Sequence, residues 1–229
     1  MHWRSAQQWL IIVFLALPGC AASQALLLDR GLIPDSHTKA IGIDCTGADG
    51  SLTGDDFSIG REGETWVIDR IRAWIIAPHP FGAQFEKITF LGGLANDQAT
   101  VECACHNLLP MKRGMLSDEG SGNPDIVVSS TSVANLWQVD FQNFRWSVPG
   151  GAKVQFAIHA VPRGLPQPNP EARPLLAATT VQHAHSLRVF SKEGAFKSFL
   201  DKKLPSSGES LVIGIQVWGH PAPKAASQP

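Results

Sequence analysis

Four aspartates, Asp44, Asp49, Asp55 and Asp56, stand close together in a stretch otherwise rich in Gly, Ser and Thr. Hard oxygen ligands on a flexible loop are what Ca²⁺ requires. Asp49, Asp55 and Asp56 are therefore the calcium candidates of the chain. Their spacing is not that of the helix–loop–helix calcium site, and Asp in such a loop also caps turns by accepting from its own backbone. The sequence requires no cofactor, and calcium is the one it leaves open.

Softer ligands occur in two places. Cys103-Ala104-Cys105-His106 and His183-Ala184-His185 set side chains two apart, the spacing that shares one face of a strand. A cupin metal site also begins with His-x-His, but it wants a glutamate a few residues on. Residues 186–190 supply none, and Glu193 lies too far away. The plainer reading is a solvated His pair at a strand entrance, so no metal ligand is assigned.

Hydrolytic signatures are missing from the sequence. There is no Gly-x-Ser-x-Gly elbow, and Gly120-Ser121-Gly122 reads as a flexible turn. No Glu-x-Asp-x-Glu arrangement offers the two carboxylates that glycoside hydrolysis needs around one bond. The sequence thus nominates no catalytic residue. Trp66, Trp74, Trp137 and Trp218 fall in strand-like segments, where core packing is the plain use; one on a wet face could stack on sugar rings.

The element that must position these groups is Thr65–Ile76, TWVIDRIRAWII, rich in β-branched and aromatic residues. Neither of its period-two faces is apolar throughout. The apolar set becomes continuous if it runs Trp66, Ile68 and then shifts by one to Ile71, Ala73, Ile75. A β-bulge at Asp69–Arg70 produces that shift. The expectation is a long, central, bulged strand with Trp66 at its buried start.

Around it the chain breaks into short strands. Ala40–Cys45, Phe85–Leu91, Ala99–Cys105, Ile126–Ser129 and Leu136–Phe141 are strand-like, and Lys153–Val161 alternates most cleanly, with Val154, Phe156, Ile158 and Ala160 inward. His185–Phe190 and Leu211–Trp218 close the domain. Phe196, Phe199 and Leu200 have the spacing of one short amphipathic helix near the C-terminus. Leu26–Lys39 reads as a connection, and Pro162–Pro174 as an extended one. His106–Pro124 reads as a long polar loop carrying Leu and Met, a partner-facing rim or a lid. These signals predict an all-β fold, an antiparallel β-sandwich with nine or ten strands, spanning 26–218, with a disordered tail over 219–229.

The first residues form a targeting segment. Arg4 without an acid, the apolar run Leu10–Leu17, and Gly19, Ala21 and Ala22 make the charged–apolar–small pattern of a secretory signal over 1–22. Leu17-Pro18-Gly19-Cys20 also resembles a lipoprotein box, with Cys20 as the lipidated residue, though Pro18 is unusual there. Ordinary cleavage after Ala22 or Ala25 is the other reading. Export would put Cys45, Cys103 and Cys105 where disulfides persist. Three cannot all pair within one chain, and Cys45 with either Cys103 or Cys105 is the pairing that geometry favours over the two close neighbours.

A formal net charge of −1 and no basic stripe argue against nucleic acid as partner, and leave membrane contact only to a lipid anchor. The succession of a DDF turn, TWVIDRIRAWI, a late NLWQVDF strand and a Pro-Gly turn, over roughly 40–161, resembles exported bacterial β-sandwich domains of the jelly-roll type. The resemblance implies a secreted or surface sandwich and no catalytic residue. The expected function is a non-catalytic binding or interaction module at the bacterial surface or in the periplasm, with a protein or glycan partner. A carbohydrate-active or metal-dependent enzyme and a structural envelope component are the alternatives.

Overall fold

Bulged Thr65–Ile76 (β4) forms the centre of one sheet, as its composition predicts. The computed structural model describes residues 24–31, 41–46, 51–94, 112–117, 120–121, 125–162, 175–181, 187–191, 196–200 and 208–223. On one side β4 pairs antiparallel with Ile215–Pro221 (β15), which pairs in turn with Ala25–Arg30 (β1). On the other side it pairs with Leu136–Pro149 (β9), followed by Ile126–Ser130 (β8). Past Ala73, β15 gives way to Leu175–Val181 (β11), flanked by Ile41–Asp44 (β2) and Ser210–Ile213 (β14).

The second sheet runs Phe196–Leu200 (β13), Leu187–Ser191 (β12), Ser51–Ser58 (β3), Lys153–Pro162 (β10), Phe85–Leu94 (β5), Lys112–Ser117 (β6) and Gly120–Ser121 (β7). Among the described residues every pairing is antiparallel. The chain alternates between sheets along β3, β4, β5 and again along β9, β10, β11, β12. The fold is therefore an all-β sandwich with jelly-roll-like alternation.

Apolar side chains of both sheets meet in one core. Ile68, Ile71, Ala73 and Ile75 of β4, with Val139 and Phe141 of β9, oppose Phe57, Ile88, Phe90, Val154, Phe156 and Ile158 of the second sheet. Phe90 spans the interface, its ring centroid 5.9 Å from Phe156 and 5.5 Å from Phe141. Rings at such separations contribute about 0.5–1.5 kcal/mol beyond their buried area.

The sheets are also joined by a charge. Asp55 lies on the core face of β3, wholly buried. It accepts from Ile213 N at 3.1 Å and from Asp56 N at 2.7 Å, and Arg30 Nη1 stands 3.5 Å away. A buried carboxylate persists only where donors and a counter-charge replace its water. The β3–β4 and β9–β10 turns interlock before Thr65. Gly150 N donates to Glu64 O and Gly151 N to Ile59 O, each at 2.9 Å. A Cβ on Gly150 would run into Arg61 O, which is why glycine stands there.

Several expectations are corrected. Among the described residues the two sheets hold eight and seven strands, more than nine or ten. Residues 25–30 are a strand, not a connection. A register shift between Leu26 and Leu28 leaves Leu26 47% exposed while Leu27 and Leu28 pack on the core, so the period-two signal is lost. Phe196–Leu200 is a strand rather than a helix. A register shift between Phe196 and Ser198 breaks its alternation and leaves apolar spacing that imitates a helical turn. The helix that is described is one turn, Phe81–Gln84 (α1), after Pro80. Within 106–124, β6 continues the second sheet beside β5 and β7 forms a hairpin with β6; KRGMLS has no alternation to announce it. Gly219, His220 and Pro221 belong to β15 rather than to a disordered tail. The targeting segment 1–22 lies outside the described residues.

Candidate functional site

Asp69 is where both neighbours of β4 change register. On β15, Trp218 pairs with Arg70 and Gly219 with Ile68, so Asp69 has no residue opposite it. On β9, Gln142 pairs with Arg70 and Trp146 with Ile68, leaving Asn143, Phe144 and Arg145 to bulge out against Asp69 alone. Asn143 and Arg145 take positive φ values of 63° and 51° to do so. Asn143 is held there by its Nδ2 donating to Asp125 Oδ1 at 2.9 Å. The sequence locates this bulge correctly: Ile68, Ile71, Ala73 and Ile75 are all in the core, while Trp66 is half-buried against it.

The shift has a second consequence. Alternation from Ile68 puts Asp69 outward, and the bulge puts Arg70 outward as well. Arg72, Trp74 and Ile76 follow on that face. Trp218 joins them from β15, because Val217 before it is in the core. The Arg70 guanidinium carbon lies 3.8 Å from the centroid of the Trp218 ring, and that of Arg72 lies 5.0 Å away. Such cation–π contacts supply about 0.5–2 kcal/mol, more as water is excluded, and fix the planes involved.

Arg72 is held from the other side by Asp140, directly opposite on β9. Its Nε donates to Oδ1 at 2.6 Å and its Nη2 to Oδ2 at 2.9 Å. Gln138 Nε2 also reaches Asp140 Oδ2, at 3.5 Å. Gln142 stands opposite Arg70, and Gln216 opposite Arg72. Toward the other end of β4 the face turns apolar, with Trp74, Leu136, Ala177 and Ile76 in a separate cluster. The outer face of this sheet is thus a graded surface, apolar at Trp74 and polar, aromatic and cationic at Trp218.

No protein-family model matches the chain, and no curated protein matches it. The site therefore rests on its own geometry.

The sequence-nominated residues lie elsewhere. Asp55 and Asp56 are consecutive on β3 and point to opposite faces, Asp55 into the core and Asp56 toward Lys153 Nζ at 3.8 Å. They do not converge on one ion, and Asp49 lies outside the described residues. Asp44 caps the turn after β2, accepting from Thr46 N at 2.8 Å and Thr46 Oγ1 at 2.7 Å. Among the described residues no three His, Cys, Asp or Glu side chains come together as a metal site. Cys45 is buried in the core, where burial, and secondarily the charge of Asp44, pushes its thiol up. Cys20, Cys103, Cys105, His183 and His185 lie outside the described residues.

What sequence reading missed is the set Arg70, Arg72, Asp140 and Trp218. The available signal was two arginines on a strand face that also carries Trp74, with Asp140 outward on NLWQVDF. Nothing in the sequence says that the two strands lie side by side.

Proposed function

We propose that this chain is an exported, non-catalytic binding module at the bacterial surface or in the periplasm, and that its partner is a glycan. The observation that carries this reading is Arg70 stacked on Trp218 at the polar end of the outer sheet face. Sugars present flat C–H surfaces ringed by hydroxyl groups. Proteins hold them with planar side chains bordered by hydrogen-bonding groups. The stacked indole and guanidinium, with Gln138, Gln142, Gln216, Arg72 and Asp140 around them, make such a surface on rigid strands rather than on loops.

A glycosidase on this face is less well supported. Hydrolysis would need two carboxylates facing one bond, whereas Asp140 is committed to both donors of Arg72. Export rests on the leader-like pattern of 1–22 and on the resemblance to exported bacterial sandwiches. Among the described residues no helix is long and apolar enough to cross a membrane.

The test is affinity electrophoresis of the purified protein through gels containing neutral and acidic polysaccharides, beside Trp218→Ala. Retardation that Trp218→Ala abolishes supports the reading. Unchanged mobility in every gel, with capture of an envelope protein by the same face, would favour a protein partner instead.

A further inference from the structure

The sheet built around β4 ends on two unlike edges. At one, β1 breaks its register between Leu26 and Leu28 and carries Asp29 and Arg30. Charge and a bulge are how native sheets keep an edge from pairing with another strand. The other edge, β8, has neither. Its register with β9 is unbroken from Ile126 to Ser130, and no residue from 126 to 139 is charged or proline.

Hydrogen bonding decides which groups β8 turns outward. Asp125 O accepts from Gln142 N at 2.9 Å, and Thr131 N donates to Leu136 O at 3.2 Å. Backbone groups alternate sides along a strand, so the odd-numbered residues turn theirs to β9. Val128 and Ser130 turn theirs away, and among the described residues no other strand pairs with β8. Ile126 is buried, but Val127, Ser129 and Ser130 are exposed and Val128 is half-buried. From Val127 onward the edge is therefore open. Val127, 42% exposed, lies on it, and Val133, 38% exposed, follows in the turn to β9.

We propose that this edge pairs with the same edge of a second copy of the chain, antiparallel, across a two-fold axis at Ser129. That axis sets Val128 opposite Ser130 of the second copy and Ser130 opposite its Val128, so outward donors and acceptors meet in reciprocal pairs. Ser129 faces Ser129, and Val127 lies against Thr131. An uncharged strand suits its own copy, because a two-fold pair sets like charges near each other and here there are none. The chain's net charge of −1 adds little repulsion between copies. A charged strand of another protein would find no counter-charge on β8. The ladder is short, so the dimer is weak and concentration-dependent. Val127 stands beside Asp140 on the outer face, so pairing sets the two outer faces side by side in one sheet. The dimer does not rest on what those faces bind.

The experiment is sedimentation equilibrium of the purified protein between about 10 µM and 1 mM, beside Ser130→Pro, Ser129→Lys and Leu26→Lys. Hydrogen exchange at both ends of that range and urea unfolding midpoints are measured alongside. Wild type should pass from monomer to dimer, with the Val128 and Ser130 amides exchanging more slowly as it does. Ser130→Pro removes an outward N–H without touching the β9 ladder, and Ser129→Lys sets like charges opposite each other. Each should weaken association about tenfold, while Leu26→Lys, on the β1 edge, leaves it unchanged. If Ser130→Pro fails to fold, Ser129→Lys, at an exposed position, carries the comparison. A wild type that stays monomeric overturns the proposal, and slow Val128 and Ser130 exchange in that monomer would show another segment of the chain on the edge. Dimerisation unchanged in both β8 variants, or abolished by Leu26→Lys, overturns it as well.

Discussion

Arg72 and Asp140 stand directly opposite each other on β4 and β9 and close a two-point ion pair, at 2.6 and 2.9 Å, on the outer face of the sheet. The pair is mostly shielded, with side-chain exposures of 21% and 10%. Two parallel N–H···O bonds set the guanidinium plane as well as its position. The pair therefore anchors the arginine that also borders Trp218.

Removing one partner leaves the other desolvated and unmatched. Asp140→Ala and Arg72→Ala are each expected to lower stability by about 1–3 kcal/mol. The double variant should cost less than the sum, by a coupling of roughly 0.5–3 kcal/mol. Urea unfolding of the four proteins checks this, and strict additivity would show that the pair contributes nothing beyond its separate contacts.

Asp55 joins the two sheets through Ile213 N and Arg30, and no water reaches it. Asp55→Ala would strand a buried N–H and a part-buried guanidinium, at an expected cost of about 3–5 kcal/mol. Lys153→Ala, which removes only a largely exposed ammonium 3.8 Å from Asp56, should cost far less. Equal losses in a thermal melt would mean that Asp55 is not the inter-sheet tie.

Glu64 governs the acid behaviour of the turn before β4. Arg61 N donates to its Oε2 at 2.7 Å and Trp66 Nε1 at 3.0 Å, and these bonds hold its carboxyl below the usual carboxylate value. A folded-state pKa below the unfolded one stabilises above the unfolded value and stops doing so as pH falls through the folded one. Wild type should therefore be more stable than Glu64→Gln at neutral pH, and the difference should shrink in acid. A difference that grows on acidification would reverse the assigned sign.

The residues themselves carried the all-β class, the central place of Thr65–Ile76 and the bulge within it. Those follow from local rules: β-branched composition, period two, and a break in that period at Asp69–Arg70. The same rules failed at Leu26–Leu28 and Phe196–Leu200, because a register shift in each erases the alternation that marks a strand. Asp55 drew notice in the sequence as an oxygen ligand; the fold gives it an arginine and a backbone N–H from the opposite sheet. The candidate site was beyond local reading altogether. Arg70 and Trp218 are far apart along the chain and became neighbours only when β15 paired with β4. Alternation can say which side of a strand a residue takes, but pairing between distant strands depends on how the two sheets bury their faces together, and that is a property of the whole core.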